Sequence, residues 1–321
     1  MCDQKPIVVV GSINTDLVAI TKRIPSVGET VIGTDFQVYP GGKGANQAVA
    51  IARLGYPVRM IGRLGTDPFG DQLRANLISA GVDVTGIATS DGASGVAVIV
   101  VSSQGENSIV VTPGANSKVT SRDLDANISV IRSAGIVLAQ LEIPLETVEH
   151  LASLCAQENV PLILDPAPAQ AMPPSIFKRT QWLTPNEAEA SFYLAGGPAG
   201  DSSPDLAVLS QMILATGVYG VVLKLGARGV YLAAQGSPGE IIPAFHVKAV
   251  DTTAAGDAFN GGFAVGLMLG KTPQESARFA CAVAGISVTR MGAQSSMPTM
   301  AEVEDFIQSY SFGNSIHPLR T

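Results

Sequence analysis

Short β-branched runs ending in glycine or a polar residue, each followed by a stretch with helical spacing, recur along most of the chain. The first, Ile7-Val8-Val9-Val10-Gly11, is apolar without alternation, the pattern of a strand buried on both faces, and residues 12–16 read as a polar loop after it. The same pattern predicts a helix from the glycines at 41–44 to about Leu54, a strand at 59–62, helices at 68–80 and 121–132, and a strand at 136–141. A helix at 145–157, a strand at 161–165, a strand-to-helix step at 182–189 and a hairpin at 220–231 continue it. Helices follow through Leu269 and from about Pro273, and residues beyond Tyr310 read as a polar tail. Strands alternating with helices predict a mostly parallel sheet covered on both faces, a Rossmann-like α/β fold in a single domain spanning 1–321. Two stretches break the rhythm. Short segments at 30–32 and 35–39, interrupted by Pro25 and Gly28, and a pair at 95–101 and 108–112 predict antiparallel strands. They form a small β-lid, segments 15–40 and 95–112, over the end of the first strand. Such a lid excludes water from a reaction, and an apolar face on it would suit a dimer surface.

The chemistry concentrates at Val250–Phe263, which reads V-D-T-T-A-A-G-D-A-F-N-G-G-F. Small residues Ala254, Ala255 and Gly256 precede a helix, so first-turn amides there can face an anion such as a phosphoryl group. A carboxylate at Asp257 would repel that anion. Its presence calls for another purpose: taking the proton of a hydroxyl that attacks phosphorus, or simply complementing the helix dipole.

Other candidates sit where strands end, the usual place for ligands in open α/β sheets. Asn14 and Asp16, two apart, either hydrogen-bond sugar hydroxyls or cap the loop. Gly42, Lys43 and Asn46 in P-G-G-K-G-A-N-Q-A bring close backbone and polar donors, although the order G-x-x-x-x-G-K-[ST] is absent. Glu142 either reaches a hydroxyl or enters the helix after Pro144. Asn186 and Glu189, i and i+3 in a first turn, either face a phosphate groove, where Glu189 would organise hydrated magnesium, or form an N-cap with its capping-box partner. The glycine-bounded turn after Lys224, with Gly226 and Gly229, could support a nucleotide or only turn the chain.

Composition narrows the classes. With 46% hydrophobic and 15% charged residues and a net charge of −7, the chain offers no basic face for nucleic acid or an anionic membrane. Cys2, Cys155 and Cys281 lack paired spacing, which fits a reducing cytoplasm. No run approaches the roughly 18 apolar residues of a membrane span, and no signal peptide is evident. A nicotinamide-dependent oxidoreductase is excluded by the missing G-x-G-x-x-G after the first strand. A silent sugar-binding module is disfavoured because Asp257 and the anion-hole residues are all present.

In order, G-S-I-N-T-D at Gly11, P-G-G-K-G-A-N-Q-A at Pro40, T-P-N-E-A-E at Thr184, L-G-A-R-G at Leu225, D-T-T-A-A-G-D-A-F-N-G at Asp251 and T-R-M-G-A-Q at Thr289 span nearly the whole chain. On these motifs the sequence resembles the ribokinase-like family of sugar and nucleoside kinases. The resemblance implies ATP-dependent phosphorylation of the ribose 5-hydroxyl, or action on deoxyribose, a hexose or a nucleoside, by a homodimer joined through the β-lid. It implies that Asn14, Asp16, Gly42, Lys43, Asn46 and Glu142 hold the sugar, that Asp257 is the catalytic base, and that the Ala254, Ala255 and Gly256 amides form the anion hole. Asn186, Lys224, Gly226, Gly229, Gly256, Asp257 and Asn260 or its neighbours would lie along ATP, with Cys281 near adenine and Glu189 near Mg²⁺. A K⁺ site would fall on Asp251, Thr253, Ser287, Arg290, Gly292 and Ser296, mainly through carbonyl oxygens. Two positions depart from the family pattern: Cys281 stands where a histidine is frequent, and Lys224 where a smaller polar residue is common.

Overall fold

The computed structural model describes residues 4–195 and 205–314, which leaves Cys2 and the chain beyond Asn314 outside the described residues. The amino-terminal part runs β1 (Ile7–Val10), β2 (Asn14–Thr21), β3 (Asp35–Gly41), α1 (Lys43–Arg53), β4 (Val58–Gly65), α2 (Pro68–Ser79), β5 (Asp83–Ser90), β6 (Gly95–Ser102) and β7 (Asn107–Thr112). The middle adds α3 (Ser121–Ala126), α4 (Ile128–Ser133), β8 (Ile136–Ala139), α5 (Leu145–Gln157), β9 (Leu162–Leu164), α6 (Pro174–Lys178), β10 (Trp182–Leu183) and α7 (Glu187–Ala195). The rest is α8 (Leu206–Leu214), β11 (Gly220–Lys224), β12 (Val230–Ala234), β13 (Ser237–Ile242), α9 (Ala255–Met268), α10 (Pro273–Ser287) and α11 (Met300–Asn314).

Nine strands form the main sheet in the order β13-β12-β11-β10-β9-β8-β1-β4-β5, parallel except at the β11-β12-β13 meander. The unbroken apolar run of β1 sits well inside it. Ile7 and Val9 belong to the core layer under α1, α2, α9 and α10, while Val8 and Val10 belong to the opposite layer under α5 and α8. Period-two alternation thus sends successive side chains into two cores, which is why β1 shows no polar position. Helix starts follow local chemistry: Asp67 caps α2 ahead of Pro68, and Thr272 with Glu275 forms a capping box on α10.

The lid is a second sheet, β3-β2-β6-β7. Its outer pairs are antiparallel as expected, but the central β2-β6 pair is parallel. The chain leaves β3 through α1, β4, α2 and β5 before returning, so β6 enters from the same end as β2. Several expectations change here. The expected polar loop at 12–16 is largely strand: β2 starts at Asn14, and Asn14 and Asp16 lie on one face of it. Residues 30–32 form no strand; they follow Gly28 at φ +81°, pair with nothing in a ladder, and leave Ile32 exposed. The helix expected at 121–132 breaks at Asn127, which ends α3 and begins α4. The chain past Tyr310 continues as α11 to Asn314.

Candidate active site

The carboxyl ends of β1, β8, β9 and β11 converge, and α9 starts beside them. Close contact between α1 and α9 brings the two helices' polar residues together: a Cβ on Gly261 would lie 2.8 Å from the Ala50 Cβ and 3.2 Å from the Gln47 carbonyl oxygen. Asp257, in the first turn of α9, is consequently buried against α1. Asn46 donates to its Oδ2 at 3.0 Å and Gln47 to its Oδ1 at 3.1 Å. Burial pushes the Asp257 carboxyl up to about 6, with Lys43 opposing and Asp165 adding to the rise. Such a group is ionised at neutral pH yet close enough to titrating to accept a proton, the property a general base requires.

The amino end of α9 is built on an unusual backbone. Ala254 adopts a left-handed conformation at φ +58°, a conformation that disfavours a side chain and is held here by its surroundings. Of the three expected anion-hole amides, that of Ala255 donates to the Thr252 carbonyl at 3.2 Å, so in this structure it closes its own turn.

On the lid side, Asp16, Lys43 and Glu142 gather near Asp257. Glu142 accepts from the Ser12 hydroxyl at 2.5 Å and from the Lys43 amide at 3.2 Å, so it faces the glycine loop instead of serving as a helix-entry acid. Burial raises Asp16 to about 6, reinforced by Glu142 and Asp257 and opposed by Lys43. Burial works against the Lys43 ammonium, but Asp257, Asp165, Glu142 and Glu189 outweigh it and hold its pKa above the ordinary lysine value. Asn14 accepts from Asn116 at 2.7 Å through Oδ1, which leaves its amide nitrogen as the available donor. Gly42, at φ +89°, carries the loop hard against the β1–β2 junction.

On the other side of α9's start lies a cavity of about 290 Å³. Lys224, Gly226, Gly229, Gly256 and Cys281 all line it, together with Phe245, Phe259 and Val288. Burial pushes the Cys281 thiol up to about 12, so it presents a neutral, largely apolar surface. Three expected nucleotide contacts, Asn186, Asp257 and Asn260, do not line this cavity. Asn260 is wholly buried within the α9 packing, with neither side-chain polar atom hydrogen-bonded; its neighbour Phe259 reaches the cavity instead. Asn186 and Glu189 make the reciprocal capping box, each backbone N–H donating to the other's side chain at 2.8 Å. One Glu189 oxygen is thereby used. Burial and then Asp165 raise the Glu189 pKa, against the pull of Lys224 and Lys43.

The expected K⁺ residues come together on two segments. Val250 and Asp251 amides donate to the Val288 carbonyl, Asp251 Oδ2 accepts from the Gly292 amide at 2.8 Å, and Arg290 donates from its backbone to Ser287 at 3.1 Å. Burial would raise Asp251, but hydrogen bonds from Thr253 and Gly292 hold it below its ordinary value. The Arg290 guanidinium pairs with Glu302, so only its carbonyl could face an ion. Ser296 is buried and donates to Ala293. These are hard oxygen donors of the kind a monovalent cation takes.

Sequence reasoning missed Asp165, which follows β9 and pairs with Lys224 at 2.9 Å, and the buried amides Gln47, Gln140 and Asn116. Asp165 at a strand's carboxyl end was the available signal; the glutamines carried none.

A doubly covered parallel sheet, a four-stranded lid and a buried carboxylate at a helix start beside a ligand-sized cavity define a sugar kinase. The chain belongs to the family described as pfkB family carbohydrate kinase, whose model matches residues 4–300. Among its relatives, a protein from Bacillus subtilis (strain 168) named ribokinase is 41% identical over 302 residues, which cover 94% of this chain and 99% of the relative. A Haemophilus influenzae ribokinase is 40% identical, with 95% and 99% covered. Among solved structures, Arabidopsis thaliana ribokinase complexed with ribose and ATP superposes with a TM-score of 0.88 at 35% identity, covering 95% of this chain and 99% of that one.

Proposed function

We propose that this protein transfers the γ-phosphoryl group of ATP to the 5-hydroxyl of D-ribose. The observation that carries this reading is Asp257: a buried carboxylate held by two amides, between the Asp16, Lys43 and Glu142 group and the cavity. Asn14, Asp16, Gly42, Lys43, Asn46 and Glu142 hold the sugar, with carboxylates accepting from its hydroxyls and Lys43 and Asn14 donating. Asp257 takes the 5-hydroxyl proton as that oxygen attacks the phosphorus and ADP leaves. Amides at Ala254, Ala255 and Gly256 face the charge on the phosphoryl oxygens, which requires the Ala255 amide to turn from Thr252. ATP lies along Lys224, Gly226 and Gly229, its base near Cys281. Mg²⁺, which a kinase uses to neutralise ATP phosphates, would be reached by Glu189 through water, and K⁺ would brace the Asp251–Thr253 turn behind α9 from Ser287, Arg290, Gly292 and Ser296.

The curated relatives named ribokinase support ribose. A second reading, deoxyribose, is favoured by a Salmonella typhi deoxyribokinase that is 33% identical over 306 residues, covering 94% of this chain. Coupled ATP turnover on ribose, deoxyribose, fructose and a nucleoside, with and without K⁺, decides between them. Ribose should give the highest kcat/KM and K⁺ should raise turnover severalfold; no turnover on ribose alongside turnover on another acceptor would reject the ribose assignment.

We take 1–321 as one domain with lid segments at 15–40 and 95–112, working in the cytoplasm, where buried Cys155 and Cys281 stay reduced. No described helix is long and apolar enough to cross a membrane. The lid supports a homodimer. Strand register places Phe36, Val38, Val98 and Val110 on one face, with exposures of 60%, 42%, 45% and 63%. A continuous apolar face of that size suits a second copy. Light scattering should show a dimer, and Val98→Lys with Val110→Lys should yield a monomer; a wild-type monomer at micromolar concentration would refute the lid dimer.

A further inference from the structure

The buried side chain of Gln47 uses both of its donor positions and one acceptor position. Its single nitrogen donates to Asp257 Oδ1 at 3.1 Å and to Asp165 Oδ2 at 3.2 Å, and its oxygen accepts from Gln140 at 2.6 Å. The orientation is forced: turned over, the Gln47 oxygen would face two carboxylates and its nitrogen would meet the Gln140 donor. Gln140 is itself held in that direction with its own Oε1 unpartnered and buried, against Gly11, where a Cβ would lie 2.1 Å from it. The Gln140 nitrogen, donating to the Gln47 oxygen, is what fixes the Gln47 amide in this orientation. Asp165 in turn pairs with Lys224, which lines the cavity.

We propose that Gln47 is the positioning residue for Asp257, aiming its carboxylate at the attacking hydroxyl and tying it through Asp165 to Lys224 at the nucleotide cavity. The proposal rests on Asp257 being the base. Asn46 and Gln47 each donate to a different carboxylate oxygen, so α1 takes one acceptor site on each and leaves the others for a substrate hydroxyl. Charged groups facing Asp257 are Asp16 from β2, Lys43 from α1 and Asp165 after β9, and the Gln47 hydrogen bond lowers its pKa against burial and Asp165.

The test compares Gln47→Met and Gln140→Met with the wild type on the sugar that the enzyme turns over best. Gln47→Met should cut kcat by about tenfold to a hundredfold while KM for sugar and ATP stays within about threefold. The acid limb of its kcat profile should move to higher pH, because the carboxylate has lost a donor. Gln140→Met should shift the limb the same way by less. ATP also titrates, so the displacement between variants is the readout. A limb unmoved in both variants, or a raised KM with kcat preserved, overturns the proposal. Should Gln47→Met not fold, Gln140→Met decides by the same two criteria. Failure of the base assignment shows separately, as retained turnover in Asp257→Asn.

Discussion

Asp257→Asn should lower kcat by roughly a thousandfold to ten-thousandfold while KM for sugar and ATP changes only a few-fold, the signature of a lost proton acceptor. The substitution keeps size and most packing but removes the negative charge. Near-normal turnover would reject the base role. A second readout comes from stability. The folded Asp257 carboxyl lies at about 6 against 3.8 unfolded, so ionising it opposes folding. Because its folded pKa is raised, the cost is complete above about pH 6, shrinks as pH falls through 6 towards 4, and vanishes below the unfolded value. The amount is on the order of 2 to 3 kcal/mol. Melting the two proteins at pH 5 and pH 8 should therefore show the wild type gaining on Asp257→Asn at the lower pH. Asp16 is raised in part by the Asp257 charge, so its pKa falls in Asp257→Asn and its own loss of pH dependence adds to the difference in the same direction. The carboxamide introduced by Asp257→Asn would meet the amide donors of Asn46 and Gln47, so the comparison rests on the change with pH and not on either absolute value.

Gly42→Ala should both destabilise the protein, by on the order of 3 kcal/mol, and raise the sugar KM more than tenfold. Gly42 sits at φ +89°, and a Cβ there would lie 2.7 Å from the Asn14 amide nitrogen, 2.9 Å from the Ile13 Cα and 2.9 Å from the Ser12 oxygen. These are backbone atoms and cannot rotate aside. To relieve the contact the loop must lift from the β1–β2 junction, carrying Lys43 and Asn46 away from Asn14 and Asp16. Gly28 provides the control: its φ is +81° but nothing lies within 4 Å of its Cβ position, so Gly28→Ala should lose only the conformational part, about 1 kcal/mol, with KM intact. Thermal melts and sugar saturation curves measure both effects. An unchanged KM in Gly42→Ala would show that the loop does not depend on this close approach.

Elements with a strong local signature were legible. The uninterrupted run of β1, the span of α5 at 145–157 and the start of α9 all follow from spacing and small residues within one or two turns. The lid's parallel β2-β6 pair was not, because strand direction depends on where a distant segment returns: Asn14 pairs with Gly95. Local chemistry also misleads where two partners compete for one side chain. Glu189 reads as a magnesium residue or a capping-box acid, and in the structure one of its oxygens is spent on the cap. Asn260 shares its motif with Asp257 yet is wholly buried, because α9 packs closely against both α1 and α10 and leaves only Ala255, Gly256 and Phe259 facing the cavity.

What the chain determined alone is its order of elements and the residue types gathered at strand ends, since helical and strand periodicity, caps and close-approach glycines act over a few positions. Which side chains meet was settled only on folding. Asp257 gains Asn46 and Gln47 from 211 and 210 positions away, and Asp165 gains Lys224 from 59. Burial among those partners sets the charge state of Asp257, and no spacing rule reaches that far, because the environment of a buried carboxylate is made by helix-on-helix packing rather than by its neighbours in the chain.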